Sequence, residues 1–131
     1  MDEKLILSGS RFGCSALILN NDSDARRFLE KLQVSSPDEF SVLLGKLEFI
    51  AENGPPNNKN IFRPIEREKN LYEIKNKMVR LFCFYDGSSR IVITHAWFKT
   101  SKGQDKEIDK AIRLKKQWLA EKRARGDNSN D

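Results

Sequence analysis

The chain is poor in the residues that hold metals or cross-link a fold: it has one histidine, His95, and two cysteines, Cys14 and Cys83. A zinc or iron–sulfur site draws about four ligands from cysteine, histidine and carboxylates, so no metal or other cofactor is expected. Two cysteines far apart in a chain without secretory features read as free thiols. No apolar run approaches the roughly 18 residues that span a bilayer. The opening MDEKLIL carries acids where a signal peptide would carry bare positive charge, so a cytoplasmic protein with no membrane contact is expected. A serine-nucleophile elbow, a phosphate-binding P-loop and a dinucleotide fingerprint are all missing, which removes support for a serine hydrolase, a nucleotide hydrolase or a dehydrogenase. No internal repeat appears.

What is present is charge. The 131 residues carry a formal net charge of +5, which favours an acidic partner such as nucleic acid or an acidic protein. From Lys99 to Arg125 there are ten basic residues against four acids, so the excess lies in the C-terminal quarter. A single domain over residues 1–125 is expected, with a frayed tail at 126–131.

Read in order, Gly13–Leu19 is a short apolar strand ended by the turn cluster Asn20-Asn21-Asp22. Ser23 or Asp24 caps a helix over Ala25–Leu32, where Ala25, Phe28, Leu29 and Leu32 recur at helical spacing. Ser36-Pro37-Asp38-Glu39 starts a second helix with a capping hydroxyl, a proline at the first helical position and acids in the first turn. That helix stops at Asn53-Gly54 before Pro55-Pro56. Asn57–Asn70 has no clear period and reads as a loop pinned by Ile61, Phe62 and Ile65. Asp105–Arg123 is an amphipathic helix with Ile108, Ala111, Ile112, Lys115, Trp118 and Leu119 on one stripe.

Between these, Leu71–Lys75, Met78–Tyr85 and the run from Arg90 read as three strands joined by hairpin turns at Asn76-Lys77 and Asp86-Gly87-Ser88-Ser89. A two-residue first turn pairs Lys75 with Met78 and hence Glu73 with Arg80. A two- or four-residue second turn pairs Arg80 with His95. Glu73, Arg80 and His95 then form one row, neighbours roughly 5 Å apart. Lys75, Phe82, Phe84, Ile93 and Trp97 share its face, and Val79, Leu81, Cys83, Val92, Thr94 and Ala96 lie on the face under the helices. A three-residue loop in either hairpin breaks this alignment.

Carboxylate, guanidinium and imidazole on one sheet face, with Lys99 and Lys102 just beyond it, suit phosphodiester cleavage. RNA supplies its own 2′-hydroxyl nucleophile, so a protein need add only a proton acceptor, a proton donor and fixed positive charge. Arg80 suits the phosphate, because its fork reaches two oxygens at once, and His95 suits proton transfer near neutral pH. Lys75, Lys99 and Lys102 suit flanking phosphates, or the leaving oxygen if crowding lowers a pKa. The residues alone leave the plainer reading open: Glu73–Arg80 as a cross-strand ion pair, His95 as a capped strand-end residue, and Phe82, Phe84, Trp97 and Phe98 as core.

LYEIK at Leu71–Lys75, VRLFCFYDG at Val79–Gly87, IVITHAWFKTSK at Ile91–Lys102 and DKEIDKAIRLKKQWL at Asp105–Leu119 together resemble the RelE/HigB toxin superfamily, specifically its phage-derived HigB-like branch. The resemblance implies an α+β fold of RelE type, a twisted, mainly antiparallel sheet with two helices from the N-terminal half on one face and a C-terminal helix. It implies a type II toxin, a metal-independent endoribonuclease that cleaves mRNA, commonly on the ribosome, and is neutralised by a cognate antitoxin with a helix-turn-helix DNA-binding domain. Glu73, Arg80 and Lys99 match the branch's charged positions. Lys75 stands where the branch has arginine, and Lys102 lies two residues beyond its second lysine. The expected catalytic set is Arg80, His95, Lys99, Glu73 and Lys75, with Lys102, Arg63, Phe98 and Lys106 as RNA contacts. The alternatives are a catalytically silent module that binds RNA or the ribosome, and a protein-interaction module.

Overall fold

Two helix starts are written in short polar residues. Ser23 accepts a hydrogen bond from the Arg26 amide at 3.3 Å and opens α1 (Asp24–Ser35). Ser36 ends α1 by donating its amide to the Leu32 carbonyl and opens α2 (Pro37–Asn53), with Pro37 in the first helical position. The expected Ser36 side-chain cap is not made. Its backbone serves both helices, and proline needs no amide partner. Gly54, at φ 87°, closes α2 by donating to the Ile50 carbonyl.

The computed structural model describes residues 1–100 and 102–126, so all of the expected tail but Gly126 lies outside the described residues. The strands are β1 (Asp2–Ser8), β2 (Gly13–Ile18), β3 (Phe62–Pro64), β4 (Tyr72–Asn76), β5 (Val79–Tyr85) and β6 (Arg90–Phe98), and the last helix is α3 (Gln104–Ala124). They form one six-stranded sheet in the order β1-β2-β6-β5-β4-β3, antiparallel except between β2 and β6. This is the α+β architecture expected. β1 and β3 were not foreseen. Both are edge strands, and β3 lies inside the stretch read as a loop, where Phe62 and Ile65 are buried as anticipated.

Both faces of the sheet are covered. On one, Leu29 and Leu32 of α1 and Leu43, Leu47 and Ile50 of α2 pack on Val79, Leu81, Cys83, Ile91 and Ile93. On the other, Leu114 and Trp118 of α3 cover Phe84 and Val92, while Ile108 and Ala111 cover Ile65, Leu71 and Phe82. Cys14 and Cys83 are buried free thiols, and burial pushes Cys14 up to about 11, away from reactivity. Gly9, after β1, lies so close to α2 that a Cβ there would stand 2.5 Å from the Ala51 carbonyl carbon.

The register corrects the expected row. The first turn is Lys77-Met78, with Lys77 at φ 53°, so Asn76 pairs with Val79, Lys75 with Arg80 and Glu73 with Phe82. This is a slip of two residues, which moves the rows and leaves the faces unchanged. Asn76 is held in β4 by Lys46 of α2, which donates to its side-chain oxygen at 2.8 Å. In the second hairpin the Asp86 amide donates to the Arg90 carbonyl at 2.9 Å, closing a three-residue loop over Gly87, Ser88 and Ser89. The odd loop exchanges the faces of β6 near the turn, so Ile91 and Ile93 lie under α1 and α2, and Val92 under α3. A bulge opposite Phe82 and Cys83 restores the alternation, and beyond it Phe82 pairs with His95 and Arg80 with Trp97.

Candidate functional site

Glu73, Lys75, Arg80, His95 and Trp97 still share one face, the one covered by α3, in two adjacent rows. One row runs Arg63–Glu73–Phe82–His95 across β3 to β6, and the other Lys75–Arg80–Trp97. Glu73 is the buried centre, 1% exposed. Its Oε1 accepts from Arg63 Nη2 at 3.0 Å and lies 3.9 Å from Arg80 Nε. Arg80 is itself buried and donates Nη1 to the carbonyls of Lys77 at 2.6 Å and Val79 at 2.9 Å, so the β4–β5 turn orients its guanidinium.

Lys75 is the half-buried edge of this cluster. Burial, then the neighbouring Arg80 and Arg63, hold its ammonium below the ordinary lysine range. Glu73 opposes the shift in part, and Lys99 adds to it. Lys99 is placed beside the β4–β5 turn by its amide, which donates to the Met78 carbonyl at 2.7 Å. Several buried polar atoms in the two rows have no hydrogen-bond partner among the described residues: Glu73 Oε2, Arg63 Nε, Arg80 Nε and Trp97 Nε1 close together, and His95 Nε2 at the far end of the first row. Unpaired buried polar atoms cost free energy, and four in one neighbourhood mark a candidate site. The indole of Trp97 is the member that sequence reasoning missed. It sits on the expected face, but an aromatic in a strand is read as core.

Of the other expected site residues, Arg63 belongs to the Glu73 cluster and His95 lies at the far end of its row, while Phe98, Lys102 and Lys106 fall elsewhere. His95 is 1% exposed beneath α3, two strands from Glu73 with Phe82 between them. Thr94 Oγ1 lies 3.2 Å from its Nδ1, and Glu107 of α3 stands 3.5 Å from its Nε2. Burial, then the charge of Lys110, push it down to about 4, with Asp24 opposing and Arg113 adding. It is therefore neutral at pH 7. Phe98 lies on the opposite face, half-exposed, with its ring 4.8 Å from Phe28 of α1. Lys102 is exposed in the link to α3, and Thr100 donates to its carbonyl. Arg63 and Lys106 line a cleft between residues 59–67 and the start of α3.

Of the ten C-terminal basic residues, several serve the fold. Lys115 is buried against Glu68 at 3.1 Å, Lys110 pairs with Asp24 at 2.8 Å, and Lys122 is buried on Asp86. Asp86 also accepts from Arg90 and from Trp118 Nε1, clamping the far end of α3 to the β5–β6 hairpin. Among the described residues no group of three or more His, Cys, Asp or Glu side chains is arranged to hold a metal ion, and no helix is long and apolar enough to cross a membrane.

A search of curated proteins finds no match. The family model described as "Phage derived protein Gp49-like (DUF891)" matches residues 27–116, from α1 through β3–β6 to the middle of α3, and so includes every residue of the two polar rows. That family is associated with RelE/HigB-like toxins, and membership implies a cognate antitoxin as partner. With the fold and most of the chain in agreement, the protein belongs to the phage-derived Gp49-like family of toxin-like proteins.

Proposed function

We propose that this protein is a HigB-like toxin, an endoribonuclease that cleaves mRNA on the ribosome through the RNA's own 2′-hydroxyl, without metal, and that an antitoxin with a helix-turn-helix domain neutralises it. The observation that carries the reading is the Glu73 carboxylate set between Arg63 and Arg80, two residues along β4 from a lysine whose proton is loosened by burial and crowding. Glu73 accepts the 2′-hydroxyl proton as that oxygen attacks phosphorus. Arg80 and Arg63 neutralise the phosphate oxygens. Lys75 delivers its proton to the departing 5′-oxygen, leaving a 2′,3′-cyclic phosphate and a free 5′-hydroxyl. Arg63, 38% exposed against 1% for its partner, is the one that can swing from carboxylate to phosphate. Lys99 and Lys102 hold neighbouring phosphates. His95, neutral and enclosed, positions α3 over the face.

The test is brief induction of wild type and of Arg80→Lys, with growth followed and RNA 5′ ends mapped. Arg80→Lys keeps the charge and loses the fork, so new 5′ ends should fall by about 10²-fold, within the range for loss of one oriented donor. Wild-type induction with normal growth and intact transcripts refutes the reading. A second reading, RNA binding without cleavage, is favoured by the Arg63 contact that covers Glu73. In that case wild type should bind RNA in a salt-sensitive way and leave it uncut.

A further inference from the structure

The cleft between the 59–67 segment and the first turn of α3 has a volume of about 880 Å³, toward the top of the ~300–1,000 Å³ range of ligand sites. Its cations differ in how they are engaged. Arg67 is held by Asp109 and stands 3.7 Å from Asp105, so it braces the wall against α3. Arg63 stands where the cleft meets the polar rows, lining the one and bonding Glu73 in the other. Lys59 and Lys106 are exposed and make no ion pair among the described residues. Pro64, exposed, together with the buried Ile65 and Ile108, supplies the apolar lining among these charges, and Glu66 and the exposed Asp105 are the acids on the wall. Gly103 at the α3 N-cap offers no capping side chain, and residues 103–106 of this first turn line the cleft.

We propose that this cleft is a second phosphate subsite that holds the single-stranded RNA flanking the reacting nucleotides, with Arg63 at the junction and Lys59 and Lys106 each meeting one further phosphate. The proposal rests on the endoribonuclease reading above. Two features favour RNA over an acidic peptide: apolar wall between cations gives ribose and base a surface to lie on, and Arg63 belongs to both the cleft and the reaction centre.

The experiment compares binding of 2′-O-methyl oligonucleotides, randomised in sequence and two or six residues long, across a salt series. The methyl group blocks the nucleophile, so the probes stay intact. For wild type, the six-residue probe should show a steeper dependence of log Kd on log salt than the two-residue probe. In Lys59→Ala/Lys106→Ala that difference should shrink by about 1.4, since each single-strand phosphate contact contributes about 0.7. Thermal unfolding of the variant verifies that it is folded. Equal slopes for the two probes, or an undiminished difference in the variant, overturn the subsite while cellular cleavage by wild type still upholds the parent reading. Absence of cleavage in cells overturns the parent reading, and the subsite with it. A hexaglutamate peptide that binds with the same lysine dependence when the RNA probes do not would reassign the cleft to an acidic protein.

Discussion

Asp86→Ala should be among the most damaging single substitutions away from the proposed site. The carboxylate is 6% exposed and accepts from Lys122 at 2.8 and 3.0 Å, Arg90 at 2.9 Å and Trp118 Nε1 at 3.1 Å. Alanine leaves the Lys122 ammonium and the Trp118 indole buried without this acceptor. Removing one partner of a buried charge pair costs about 3–5 kcal/mol. At about 2.1 cal/mol/K per residue, 131 residues unfold with an entropy near 0.28 kcal/mol/K, so Tm should fall by about 11–18 °C. Urea titration followed by circular dichroism measures the free energy directly. Asp86→Ala/Lys122→Met, which removes both charges, should recover part of the loss. A deficit for Asp86→Ala under about 1 kcal/mol, the scale of an exposed ion pair, refutes the argument. The acid limb offers a second check. Burial acts to raise this carboxyl, but the bonds from Lys122, Arg90 and Trp118 outweigh it and hold it below the ordinary range. Its contribution is complete above about pH 4 and is lost as pH falls through the lower folded value, a loss the alanine variant should not show.

His95 acts in a different pH window. Its folded value near 4 lies below the unfolded 6.5, so stability should be full above about pH 6.5 and decline toward pH 4, by up to about 1.4 kcal/mol per unit. His95→Leu should flatten that decline in stability measured at successive pH values, and an unchanged slope argues against the assignment. Lys75→Arg restores the residue expected of the HigB-like branch and separates two roles. If Lys75 donates the proton, arginine cannot replace it and cleavage should fall by about 10²-fold or more, whereas equal or faster cleavage makes Lys75 a phosphate clamp. Gly9→Ala should cost about 1–3 kcal/mol in urea titration, because its Cβ must displace the backbone at Ala51; a neutral result means that the turn yields freely.

Local chemistry made the helices legible: Ser23, Ser36-Pro37 and Gly54 each act on the backbone within a few residues. The charged face was legible for the same reason, since alternation along a strand is a property of the strand itself. What failed was pairing. Lys77 adopts a left-handed conformation that nothing about lysine advertises, and it moves the turn by one residue at each end. The three-residue loop and the bulge opposite Phe82 cancel beyond Thr94, so Ile93 and Val92 exchanged faces while His95 and Trp97 kept theirs. β1 and β3 owe their existence to partners, β2 and β4, and carry little signal of their own. The burial of His95 was equally hidden, because it depends on where α3 settles.

The one parallel pairing in the sheet has a consequence for how the chain is made. β2 can pair with β1 as soon as both are synthesised, but its other neighbour is β6, the last strand in the sequence. Between them lie α1, α2 and three strands whose apolar face is completed only when Ile91 and Ile93 arrive. This long-range closure places folding late, when nearly the whole chain has been translated. A chain interrupted before Arg90 lacks the central strand as well as α3. A chain stopped there carries Glu73, Lys75 and Arg80 but lacks Trp97 and the strand that pairs with β5, so the proposed site assembles only once the final strand is in place.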